Sequence, residues 1–144
     1  RRALDAYLAS PDSFMCPEDV LDELTRTSHR RYSTGFYFGP EDAVQNTAAG
    51  GYIRDWEVVG VVDAWQDGLA ACTQRGKFTL GDQLEALTPE GRMVPFTPGA
   101  IYDEEGTSIE ATPHPKMRFA VPCEEALPSF TILRRKAPKG GMTE

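Results

Sequence analysis

The sequence predicts a mainly β protein, a small antiparallel β-barrel preceded by two short α-helices, and three observations predict it. Two alternating runs between Gln74 and Gly91 flank a Gly81-Asp82 corner, and the second run closes on Pro89-Glu90-Gly91. From Trp56 onward, short apolar runs follow one another with turn-forming residues at regular spacing, the pattern of a sandwich or closed barrel, of which the barrel is preferred. Before about Thr27 the apolar period is helical instead.

At the front, Leu4, Tyr7 and Leu8 share one helical face until Ser10-Pro11-Asp12-Ser13 breaks the pattern. A second helix starts near Pro17, with Glu18 and Asp19 in the first turn where the helix dipole favours negative charge. Val20, Leu21 and Leu24 form its expected buried stripe, and it should end around Thr27. The aromatic-rich stretch from Ser28 to Gly39 reads as an extended segment packed along a surface groove. From Pro40 to Gly51 small and polar residues predict a flexible loop. Residues 1–39 are thus expected to be a helical connector with an extended aromatic segment, and 40–144 the β domain.

Trp56 to Trp65 and Leu69 to Arg75 flank Gln66-Asp67-Gly68, a compact hairpin turn. Gly81 takes a positive φ at little cost, Asp82 suits the residue after such a bend, and Leu84 to Leu87 then alternates between two faces. Thr88 to Gly91 turns the chain into Arg92 to Phe96. Ala100 to Asp103, Ser108 to Ala111, Lys116 to Val121 and Phe130 to Arg134 supply further strands. Trp56 and Trp65, nine apart, should face opposite sides, one in the core and one on the rim.

The 144 residues, 40% hydrophobic and 26% charged, suit one soluble domain with a real core. No apolar run approaches the roughly 18 residues of a membrane span, the longest being Val58 to Val62 with Gly60 inside it. The chain opens inside a predicted helix, so a longer parent protein is expected. Cys16, Cys72 and Cys123 are far apart and lack metal-ligand spacing, which predicts buried free thiols in a reducing, cytoplasmic setting. The net charge of -7 disfavours wholesale nucleic-acid binding. Acidic residues gather at the front (Asp12, Glu18, Asp19, Asp22, Glu23), whereas Arg134-Arg135-Lys136 and Lys139 make the tail basic, leaving room for a local basic strip.

The histidines are His29 and His114. His29 reads first as a cation on the terminal carbonyls of the preceding helix, and otherwise as a partner-contacting group. His114, bracketed by Pro113 and Pro115, is a stiff crossover or a rigidly presented ring. Arg75 and Lys77, with Arg30, Arg31 and Tyr32, form either a solvated rim or a basic and aromatic patch able to meet phosphate or stack on a base. A triad from Cys72 or Ser108 with His114 and Asp103 has no spacing to support it. Asp103-Glu104-Glu105-Gly106 lacks the alternating oxygen ligands of a calcium loop and reads as an acidic turn.

Several blocks in one order resemble the C-terminal domain of the U32 family of collagenase-like peptidases: Ser28-His29-Arg30 with Tyr32, Thr34-Gly35-Phe36, Tyr52 with Val58-Val59-Gly60, Gln74 to Phe78 with Gly81-Asp82-Leu84-Glu85, Pro113 to Met117, and Leu133-Arg134-Arg135. Gly76 stands where the family pattern has Asn, and Lys116 where it has Gln. The resemblance implies a barrel similar to the second-domain barrel of elongation factors, following an N-terminal catalytic domain of the same protein. It implies no catalytic residue and no cofactor in this segment; conserved cysteines, and with them an iron-sulfur cluster, would belong to the N-terminal domain. The expected role is a noncatalytic accessory domain that positions substrate or forms a lid, in a parent classed as a peptidase, a hydrolase. The alternative is an RNA-contacting module of a related RNA hydroxylation enzyme. Expected partners are the catalytic domain and a protein or RNA substrate, with no membrane, and the candidate contact residues are His29, Arg30, Tyr32, Arg75, Lys77 and His114.

Overall fold

The computed structural model describes residues 1–30, 32–40 and 51–137; Arg31, residues 41–50 of the predicted loop and Lys139 of the basic tail lie outside the described residues. The chain divides into two units, Arg1–Asp55 and Trp56–Glu144.

In the first unit, helix α1 (Arg2–Ala9), a 3-10 turn (Pro11–Ser13) and helix α2 (Glu18–Thr25) follow the predicted breaks. Pro17 caps α2 in an extended conformation, and its carbonyl accepts from the Val20 and Leu21 amides. Leu21 and Leu24 stay exposed and Val20 only half-buried, so the expected buried stripe is not covered. Each helix has two turns, too few for one to bury a face of the other completely. Beyond them, His29 and Ile53 exchange backbone hydrogen bonds of 3.2 and 2.8 Å. The segment expected to run extended instead turns, with Tyr37 N–H donating to Thr34 and Gly39 N–H to Phe36, and its rings face solvent. Gly35 starts this turn at φ +56°, a conformation that disfavours side chains with a Cβ.

The second unit is a six-stranded antiparallel sheet of β1 (Trp56–Gln66), β2 (Leu69–Gln74), β3 (Leu84–Leu87), β4 (Met93–Phe96), β5 (Arg118–Pro122) and β6 (Ile132–Lys136), in the order β4-β3-β6-β1-β2-β5. The β1–β2 hairpin turns on Asp67 and Gly68, both at positive φ. β1 is bulged twice: Val59 is the extra residue against β6, and Asp63 against β2. At the first bulge Val59 and Gly60 are both buried, which breaks strict alternation, and the second restores the phase. Trp65 therefore packs against the core and donates its indole N–H to the Cys123 carbonyl at 2.9 Å. Trp56 lies instead over the Arg134 guanidinium.

Val59, Val62, Ala70, Cys72, Ala86, Val121 and Leu133 fill the core from the strands, and Phe78, Ile101 and Leu127 fill it from the connections. Phe78 meets Phe119 edge to face at 5.3 Å. The expected strands near 100–103 and 108–111 shrink to single bridges, Tyr102 with Ser108 and with Ala120. Among the described residues no ladder joins β4 to β5, so the sheet is open where the sequence reading expects a closed barrel. Pro95 contributes: the β3–β4 register places it at a position whose N–H would point away from β3, so the free edge lacks a donor there.

Candidate functional site

Gln74 ends β2 at an inward position, in phase with Ala70 and Cys72, and is buried. Burial of an amide requires partners, and it has them in the connection before β5. Its Nε2 donates to the Thr112 carbonyl at 3.2 Å, its Oε1 accepts from the Lys116 N–H at 3.2 Å, and its own N–H donates to Met117 at 2.9 Å. Four residues further on, the Phe78 N–H donates to the Thr112 hydroxyl at 3.2 Å and the Thr112 N–H to the Phe78 carbonyl at 3.0 Å. The 75–77 and 113–116 loops are thereby fastened at both ends into one platform.

Arg75, Lys77, His114 and Lys116 project from this platform, and Arg118 follows on β5 opposite Thr73. All five are exposed, and among the described residues none of these four Arg and Lys side chains lies within 4.0 Å of a carboxylate. Gly76 permits the arrangement: its N–H donates to Val59, and a Cβ there would come within 2.8 Å of the Val58 carbonyl oxygen. Lys116 holds φ at +63°, inside the turn that Gln74 closes. Exposed cations on fastened loops favour an anionic partner such as a phosphodiester chain.

At the same end of the strands, across β1 from the platform, the arginines of β6 are committed internally. Arg134, nearly buried, donates to Glu85 at 2.9 Å and lies 5.3 Å from the Trp56 ring centre. Arg135 pairs with Glu57 at 2.6 Å and also with Asp82. Burial alone would raise the Asp82 carboxyl, but hydrogen bonds from Thr79 and the Arg135 charge outweigh it and hold the group below the usual carboxylate range. A groove of about 760 Å³ opens beside these pairs, lined in part by Trp56, Asp82, Glu85, Phe96, Arg135 and Lys136. The Arg134–Glu85 and Arg135–Asp82 pairs tie β3 and the Gly81-Asp82 corner to β6, which is a structural task.

The remaining predicted residues belong to the first unit. The His29 and Tyr32 rings stack at 4.6 Å and 6° between planes, and Arg30 lies 5.1 Å from the Tyr52 ring centre. The structure thus joins Arg75, Lys77 and His114 on one platform, and assembles His29, Arg30 and Tyr32 within the other unit. The sequence reading missed Gln74, Lys116 and Arg118 as site residues. Gln74 carried a usable signal, a polar residue in the inward phase of an otherwise apolar strand.

Nucleophile chemistry finds no support at Cys72, whose thiol burial raises well above its ordinary range, with Asp63 and Cys123 adding to the effect. Cys123 is shifted the same way by burial and by Glu124. Among the described residues no group of three or more His, Cys, Asp or Glu side chains is placed to hold a metal ion. Nor is any described helix long and apolar enough to cross a membrane.

Residues 54–134 match the family model of the peptidase family U32 C-terminal domain. The chain is 30% identical over 118 residues to the tRNA hydroxylation protein P1 of Bacillus subtilis (strain 168), covering 80% of this chain and 28% of that protein. It therefore spans little more than a quarter of that relative. Two crystal structures of the C-terminal domain of a Geobacillus thermoleovorans protein assigned to the U32 peptidases are similar to it at 27% identity. The selenomethionine form has a TM-score of 0.53 and covers 55% of this chain and 99% of its own; the other has 0.52, 57% and 93%.

Proposed function

We propose, on the premise that this chain belongs to the family of peptidase U32 C-terminal domains, that it is the noncatalytic RNA-positioning domain of a larger enzyme. The observation that carries this reading is the platform: Arg75, Lys77, Lys116 and Arg118 without carboxylate partners among the described residues, on loops locked by Gln74 and Thr112. Four exposed cations without a carboxylate within 4.0 Å among the described residues give a chain of net charge -7 a local basic surface. The similarity to a tRNA hydroxylation protein supports a structured RNA, tRNA foremost, as the polyanion.

The platform contacts phosphates and holds the RNA, while bond-making chemistry belongs to an N-terminal catalytic domain of the same protein, where any iron-sulfur cluster would also reside. Such a substrate implies a cytoplasmic protein. Phosphate contacts give affinity and register without reading sequence, the division of labour a substrate-positioning domain requires. The second reading, accessory domain of a protein-cleaving enzyme, rests on the family description and on the peptidase assignment of the two solved relatives.

Binding of tRNA to the protein, followed by fluorescence anisotropy across a salt series, tests the proposal. Arg75→Ala with Lys77→Ala should weaken binding and flatten the dependence of log K on log salt by about one unit for each phosphate that the variant no longer neutralises. Unchanged affinity and slope in a variant of wild-type circular dichroism, or preference for denatured collagen over tRNA, would overturn it.

A further inference from the structure

The first unit carries a second surface with different chemistry. The turn at 34–39 displays Phe36, Tyr37 and Phe38 at 77%, 85% and 71% exposure, and Tyr32 and Tyr52 are more than half exposed. Exposed aromatic rings of this density on a soluble chain mark a binding surface. The rings are also pre-oriented. The Tyr32 hydroxyl donates to the Leu24 carbonyl at 2.6 Å, and His29 Nδ1 lies 2.8 Å from the Thr27 carbonyl, so the parallel His29–Tyr32 pair is held from both sides. Tyr37 and Phe38 meet edge to face at 5.0 Å, and Arg30 and Arg54 lie 5.1 and 5.9 Å from the Tyr52 ring centre.

Charge selects the occupant. Arg30 and Arg54 flank the Tyr52 ring and His29 stacks on Tyr32, while Arg26 is taken by Glu23; from Leu24 to Pro40 the sequence has no carboxylate, whereas Arg1 to Glu23 carries Asp5, Asp12, Glu18, Asp19, Asp22 and Glu23. An apolar protein face needs no such cations, but a single-stranded nucleic acid needs both features, flat rings for its bases and cations for its phosphates. We infer that the rings of His29, Tyr32, Phe36, Tyr37, Phe38 and Tyr52 form a stacking surface for unpaired RNA bases, separate in role from the phosphate platform of the sheet; the inference rests on the RNA reading above. A base stacking on Tyr32 would continue the column begun by His29, and Phe36, Tyr37 and Phe38 would take neighbouring bases.

Two probes distinguish the surfaces: a single-stranded RNA oligonucleotide and a fully paired RNA duplex of the same length. Tyr37→Ala with Phe38→Ala should weaken single-strand binding by about tenfold or more, the range for loss of base–aromatic stacking, and leave duplex binding within about twofold. Arg75→Ala with Lys77→Ala should weaken both. If the aromatic variant binds the single strand as well as wild type does while the Arg75/Lys77 variant fails, stacking is overturned and the RNA reading stands. If wild type binds neither probe at low salt, the RNA reading falls and stacking with it.

Discussion

The two units of this chain are stabilised in opposite ways. Trp56–Glu144 buries apolar side chains from every strand and commits Arg134 and Arg135 to carboxylates, whereas among the described residues of Arg1–Asp55 none is buried. The Arg1–Asp5 and Arg2–Asp19 pairs of the first unit lie in solvent. The Arg2 hydrogen bond and charge hold the Asp19 carboxyl below its ordinary range, yet full exposure lets water and salt screen that pair. Strand pairing around a buried core carries the fold in one unit, and short helices, turns and the His29–Ile53 bridge carry it in the other.

Substitutions of like chemistry in the two units test that contrast. The largest difference is expected from leucine truncation. Leu133→Ala, at a site with no exposed surface, should cost about 2–5 kcal/mol in urea unfolding, and Leu21→Ala on exposed α2 no more than about 0.5 kcal/mol. Equal effects would mean that α2 is buried in the working protein. Next is the ion-pair contrast. Arg134→Ala removes two N–H donors from Glu85 Oε1 and should cost about 3 kcal/mol, while Arg2→Ala should leave the midpoint unchanged.

The smallest effect is set by pH. Asp82 has a folded-state pKa below its unfolded value near 3.8, so its stabilisation is complete above that value and fades as pH falls toward the folded one. Asp82→Asn should therefore lower stability by up to about 1 kcal/mol at neutral pH, with the gap from wild type closing in acid thermal melts. A gap that persists in acid would assign the effect to turn geometry instead of charge.

What the sequence made legible was local. The Gly81-Asp82 corner could be read because its fastening spans four residues, the Thr79 N–H donating to the Asp82 carboxylate at 2.8 Å. Helix breaks at Ser10 to Ser13 and the Asp67-Gly68 turn have the same character. What stayed hidden depended on partners far away in the chain. The bulges at Val59 and Asp63 exist only relative to β6 and β2, and the place of β6 between β1 and β3 is a long-range fact. Gln74 reaches partners at Thr112 and Lys116, so its role was invisible although its inward phase was not. The buried stripe of α2 failed for a related reason: period reveals which face is apolar, and says nothing of what covers it.

Pro95 has a consequence for life in a crowded solution. An open sheet offers its outer strands as templates to any passing chain, and two copies meeting edge to edge would begin a polymer. With no amide hydrogen to give at that position, β4 interrupts the zipper a neighbour would need, and a domain with an unclosed sheet is kept from growing by addition. Pro95→Val would restore the missing donor to an exposed edge, and turbidity at high concentration would report whether one imino acid is the stopper.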